Sequence, residues 1–303
     1  MKIITLLFPQ IFLMFALMAL GYFCYRKNKL SEQSSKELSW LLVNIVIPVV
    51  LFNSFLREYS ATEFNSFLIA VIYSVIAIVI GIAVSYIFFR KNQALERFAS
   101  IYSNASFIGI PIISAIFSKE VLFYLSAYIV VFMLFIFTHG LYLISKDINE
   151  ISLKKIIKNP TLIAILLGII IYSCNIQFPT VISNFTTVLG SLNTPLSMIL
   201  LGCFMAKGSL GEMLKNYKAL GISFVRLIIV PITTIIFFSF IEGDYLLKMI
   251  VVVTNAVPSA IMLALFAEIY DENPKLAAQY VSITTLLSII SLPIIIFIAE
   301  KLL

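Results

Sequence analysis

Asn104-Ala105-Ser106-Phe107-Ile108-Gly109-Ile110-Pro111 lies in the middle of an otherwise apolar stretch, and Thr254-Asn255-Ala256-Val257-Pro258-Ser259 does the same in the second half of the chain. Proline removes a backbone donor and blocks the carbonyl a turn earlier. A membrane span that carries one therefore leaves polar backbone where lipid offers no partner. Such places are tolerated where they line a polar cavity or are covered by protein. Pro48 and Pro111 recur as Pro195 and Pro258, each 147 residues further on (48 to 195, 111 to 258), so the two halves carry prolines at matching positions. Paired interruptions of this kind point to the midplane site of a secondary transporter.

Composition places those stretches in a bilayer. Of 303 residues, 61% are hydrophobic and 12% charged, a balance that soluble domains do not reach. The length accommodates about ten spans of roughly 20 residues, predicted at 3–25, 36–56, 65–89, 95–117, 121–144, 160–177, 182–206, 216–241, 246–269 and 276–299. Little chain remains for a soluble part, so residues 1–303 read as a single membrane domain. The first apolar stretch is too long for a signal-peptide core and is followed by Arg26, Lys27 and Lys29, which marks a retained span. The net charge of +6 is spread over loops without aromatic interleaving, which excludes a nucleic-acid partner. Cys24, Cys174 and Cys203 are odd in number and far apart, so they read as small core residues, with no disulfide framework or metal site. No cofactor is expected.

Basic residues set the orientation. Arg26, Lys27, Lys29 and Lys36 follow span one; Arg90, Lys91 and Arg97 follow span three; Lys146, Lys154, Lys155 and Lys158 follow span five. Lys207, Lys215 and Lys218 follow span seven, and Lys275 follows span nine. Only Lys2, Arg57, Lys119, Lys248 and Lys301 fall on the other side. The positive-inside rule then puts both termini outside the cytoplasm. Five spans before the long basic linker make the second half enter the membrane inverted, with one repeat over about 1–150 and the other over about 151–303. The predicted fold is an all-α polytopic membrane protein of ten spans, an inverted five-plus-five repeat in which spans four and nine are broken and cross.

Crossing breaks predict a site. Each yields a half-helix beginning just after its proline, and two such N-terminal ends carry partial positive charge suited to an anion such as a carboxylate. Asn104, Gly109 and Pro111 in span four, Asn255 and Pro258 in span nine, and Asn44 and Pro48 in span two form the candidate substrate-binding set. Asn53 follows in span two, and Ser191, Asn193, Thr194, Pro195 and Ser197 give span seven a similar polar run. No Asp or Glu falls at the middle of a span, which disfavours an aspartate-based ion pump. Arg226 reads as an interface anchor snorkelling toward the Lys218 side, ahead of a substrate or gating role. Glu268 reads as a solvated helix end, His139 as interfacial and Trp40 as an interface anchor.

The residues also resemble a known family. Phe8-Pro9-Gln10-Ile11 through Gly21-Tyr22, Leu30-Ser31, and Leu41-Leu42-Val43-Asn44-Ile45-Val46-Ile47-Pro48-Val49-Val50-Leu51-Phe52 look like the opening of the auxin efflux carrier family, which includes malate-type permeases and the plant PIN-type exporters. The Asn104, Gly109, Pro111 run is similar to that family's crossover motif. Pro258 through Ala267-Glu268-Ile269-Tyr270, then Thr284-Thr285-Leu286-Leu287-Ser288 and Pro293, resemble its second crossover and last span. The resemblance implies the fold of bile-acid/sodium symporters, a scaffold and a transport domain with elevator-like motion, a homodimer, and a substrate site at Asn104, Pro111 and Pro258. The chain departs in having Asn255 and in lacking the long central loop of the plant exporters, so neither regulation through that loop nor auxin as substrate is implied.

The function expected is a plasma-membrane carrier of a small organic anion. An exported anion is driven by an inside-negative potential worth about 2.3 kcal/mol per charge per 100 mV, so no coupling ion is required for export. The alternatives are an organic-acid symporter coupled to sodium or protons, and a passive channel or receptor. An intramembrane enzyme is disfavoured, since the sequence has one histidine and no paired aspartates, HExxH or GxSxG.

Overall fold

The computed structural model describes residues 2–151, 156–208 and 215–303; Lys154 and Lys155 of the basic linker lie outside the described residues. Helices dominate: α1 (Lys2–Arg26), α2 (Glu32–Asn53), α3 (Ala61–Phe88), α4 (Ala94–Ile101), α5 (Ala105–Ile116) and α6 (Leu122–Ser145) are followed by α7 (Pro160–Ser173), α8 (Thr180–Ala206), α9 (Tyr217–Ser239), α10 (Tyr245–Ala256), α11 (Met262–Ile269) and α12 (Pro274–Leu302). Seven of these are long and apolar enough to cross a membrane, and α5, α7 and α10 are shorter apolar helices. No strand occurs among the described residues beyond one isolated bridge.

Local chemistry explains half of the helix starts. Ser31, Ser60, Asn159, Asn216, Asp244 and Asn273 each cap a helix by accepting a backbone N–H of its first turn. Asn159 and Asn273 are each followed by a proline, whose missing N–H costs nothing at a first helical position.

The prolines do something other than expected. Pro48, Pro111 and Pro231 each lie in the first turn of an α-helical segment that directly follows a wide five-residue π-turn, over Leu42–Val46, Ala105–Gly109 and Val225–Ile229. In each, the residue just before the proline bonds five residues back, Ile47 to Leu42, Ile110 to Ala105 and Val230 to Val225. A wider turn makes room for the ring at the carbonyl four residues earlier and leaves no donor wanting. Pro48 and Pro111 therefore do not break their spans. Pro195 lies inside the continuous α8, three residues past its irregular turn at Leu192. Only Pro258 stands in a true interruption, and the partner break lies at Tyr102–Asn104, well before Pro111.

Burial is graded across the helices. Every residue of α10 from Leu247 to Ala256 is buried, as are 95–101 of α4 and 105–113 through α5. α1 and α7, by contrast, leave apolar faces exposed, including Phe12, Phe23, Leu166 and Ile170, as suits lipid contact. α1 packs along α8 at very short range. A Cβ on Gly21 would stand 2.0 Å from the Ile199 carbonyl oxygen, and one on Gly202 only 1.9 Å from that of Met18. Small residues at the contact let the two backbones touch, the usual means of helix association in lipid.

Candidate functional site

The two interruptions meet. Ser103 and Ser259 pair as an antiparallel bridge, with the Asn104 N–H donating to Pro258 O at 2.8 Å and the Ala260 N–H to Tyr102 O at 2.8 Å. Breaking a helix inside an apolar body strands several carbonyls at its C-terminal end. Here several of them are taken by groups far away in sequence. At the end of α4, Ala99 O accepts from Ser259 Oγ at 2.6 Å, and Ser100 O and Ile101 O accept from Arg226. At the end of α10, Asn255 O and Val257 O accept from the same guanidinium.

Arg226 is thus a correction to the sequence reading. It is 0% exposed and does not reach the interface. Its place on the π-turn of α9 puts its fork of donors against carbonyls of both broken helices, where the negative ends of two helix dipoles converge. No carboxylate pairs with it among the described residues. Arg97, expected in a loop, is also buried, donating twice to Phe89 O and lying over the Tyr86 ring. His139, expected to be interfacial, lies with its ring nitrogens 2.7 Å from Tyr102 Oη and 3.2 Å from Tyr86 Oη, tying the first break to α3. Glu268 and Trp40 are exposed, and so is Cys174, which is no core residue.

The predicted site residues divide. Asn104, Gly109, Asn255 and Pro258 gather at the paired breaks, where a Cβ on Gly109 would meet Thr254 Cγ2 at 3.4 Å; Pro111 follows within α5. Asn255 is engaged at both ends, donating through Nδ2 to Thr234 Oγ1 at 3.0 Å and accepting on Oδ1 from Tyr128 at 3.3 Å. Tyr128 in turn reaches Ser103 Oγ at 3.0 Å. Asn104 differs: it is 3% exposed and its Nδ2 has no partner. Asn44 and Pro48 do not join this group, and Asn44 spends its amide on the Trp40 carbonyl at 2.9 Å.

A second set of open polar atoms lies on the 105–109 turn and the α8 segment packed on it. Asn193 Nδ2 and Oδ1, Ser197 Oγ and Ser106 Oγ are all buried without partners. The α8 segment from Asn193 packs on the 105–109 turn, which brings these groups to the start of α5. A cavity of about 580 Å³ opens between the end of α2, α5 and the first half of α8, with Asn53, Ile110, Ser114, Thr186 and Asn193 on its walls and Arg57 and Glu120 at the helix ends. Arg57 pairs with Glu63 at 3.5 Å, and Thr186 donates to Asn53 Oδ1 at 2.6 Å. Buried polar atoms are normally satisfied, so the open atoms of Asn193, which lines the cavity, and those of Asn104, Ser106 and Ser197 on the packed α5 and α8 segments are suited to a polar ligand. Sequence reasoning noted the Asn193–Ser197 run without placing it in the site. What could have marked it is its i, i+4 spacing, which puts both groups on one helix face.

Comparison with known proteins places the chain among membrane transporters. Residues 6–147 and 144–296 match the family described as membrane transport protein. The chain is 26% identical over 289 residues to an uncharacterized transporter of Methanocaldococcus jannaschii, covering 90% of this chain and 92% of that protein. It is 28% identical over 290 residues to an uncharacterized transporter of Methanothermobacter thermautotrophicus, covering 92% and 93%. Matched from end to end by a family of multi-pass membrane transporters, the chain belongs to the membrane transport protein family, that of the auxin efflux carriers.

Proposed function

We propose that this transporter is a secondary carrier of a small organic anion, such as a carboxylate, working by elevator-like alternating access across the plasma membrane. The observation that carries the reading is the open donor set on the start of α5 and the α8 segment packed on it. Asn104 Nδ2, Ser106 Oγ, Asn193 Nδ2 and Ser197 Oγ are buried, unpartnered and uncharged. The first turn of α5 adds N–H groups that have no acceptor within the helix and the positive end of its dipole. Donors of this kind hold an anion without a fixed counter-charge. Counting α4 with α5, and α10 with α11, as interrupted spans gives ten spans, consistent with an inverted five-plus-five repeat crossing at the Ser103–Ser259 bridge.

The test is a thermal-shift series of small mono- and dicarboxylates on the purified protein. At least one carboxylate raises the melting temperature of the parent and fails to do so for Asn104→Ala. Saturable counterflow of that carboxylate in proteoliposomes then separates a carrier from a pore. A full panel with no stabilising carboxylate, or equal stabilisation of parent and variant, sinks the assignment.

A further inference from the structure

The geometry points to a cation site at the paired breaks, built of backbone carbonyls and filled by the protein's own Arg226. Ser100 O and Ile101 O come from the end of α4, and Asn255 O and Val257 O from the end of α10; all four accept from the one guanidinium, at 2.9–3.2 Å for Ser100, Ile101 and Val257. An unpaired buried charge is ordinarily prohibitive. This one is balanced by carbonyl dipoles and by two helix C-termini, the same groups that elsewhere in broken-helix transporters hold a free monovalent cation. Three features separate it from an ordinary buried arginine. It has no carboxylate partner among the described residues, its ligands come from two helices interrupted at the same point, and it is tethered from a third helix, α9.

On this account Arg226 is a positioning residue, and its removal leaves a site for a small cation of similar shape. Guanidinium matches the shape that the carbonyls surround; sodium matches the charge and the oxygen ligands. Arg226 and its four carbonyls lie at the crossing itself, whatever the substrate.

The experiment measures melting temperature without substrate, with guanidinium, sodium or choline chloride at equal, low millimolar concentration. Arg226→Ala melts well below the parent, and guanidinium restores most of the loss while choline restores none. A folded Arg226→Ala protein with no cation-specific gain overturns the inference. Arg226→Lys, which keeps the charge but loses the fork, covers the case in which the alanine variant does not fold. It is expected to fold and melt measurably below the parent, and parental stability in this variant also overturns the inference. The parent, its carbonyls already filled, shows the same melting temperature in all three salts; a sodium- or guanidinium-specific rise there counts against the inference whatever the variants do.

Discussion

At the scale of the residue, two asparagines that look equivalent in sequence have opposite situations. Asn255 is held between Thr234 and Tyr128, with a partner at each end of its amide, whereas Asn104 keeps a buried amide nitrogen without one. Removing Asn255 leaves a buried hydroxyl network short of a partner, so Asn255→Ala is expected to lose about 1–3 kcal/mol of stability. Asn104→Ala removes a donor that nothing in the fold uses. Its melting temperature without ligand should stay near that of the parent, while stabilisation by carboxylate disappears. Chemical denaturation and ligand-dependent melting on the same two preparations decide the matter; the reverse ranking would exchange their roles.

Among elements, the informative contrast is between prolines that widen a turn and the proline that stands in a break. Pro258 holds Val257 extended, at φ −65° and ψ 156°, as a residue before proline prefers, and its carbonyl accepts from Asn104. Pro258→Ala returns an N–H and lets the helix continue from α10. Such a variant should be inactive, because the bridge to the first break is lost, and should melt below the parent, because the Asn255 and Val257 carbonyls that hold Arg226 are drawn into helix. Pro111→Ala permits the 105–109 turn to close to ordinary α geometry. Its effect is a rotation of Asn104 relative to α5, so it should keep the fold and weaken ligand stabilisation. Initial uptake rates and melting temperatures of both variants test this, and full transport by Pro258→Ala refutes it. The α1–α8 contact supplies a control of a different kind. Gly202→Leu drives a side chain into the Met18 carbonyl and should abolish folded protein, seen as loss of the monodisperse peak in size-exclusion chromatography.

For the whole molecule, the prediction is about orientation. Lys146 and Lys158 flank the linker between α6 and α7, on the side expected to face the cytoplasm, and Leu303 ends α12 on the other. In a background without native cysteines, Lys158→Cys in intact cells should resist an impermeant thiol reagent, and Leu303→Cys should react. The opposite pattern would overturn the orientation and the inverted repeat together, since both rest on an odd number of spans per half.

Local chemistry accounts for what could be read in advance. Apolar content and the loop bases depend on residues within a turn or two of one another, so sequence by itself determined the membrane class, most helix positions and the two polar runs at the breaks. It also offered Asn104 as a candidate, on residue type and position alone. It could not say that Pro111 widens a turn where Pro258 stands in a break, because both sites look alike until the backbone partners are known. Nor could it place Arg226, which reads as a snorkelling base until its acceptors are found 126 residues away in Ser100 and 29 away in Asn255. Stranded carbonyls at a helix break must be satisfied by whatever the fold brings near, and here that is Arg226 from α9 and Ser259, 160 residues from the Ala99 carbonyl it caps. Which polar atoms are used up and which stay open at Asn104, Ser106, Asn193 and Ser197 was therefore decided by tertiary structure alone.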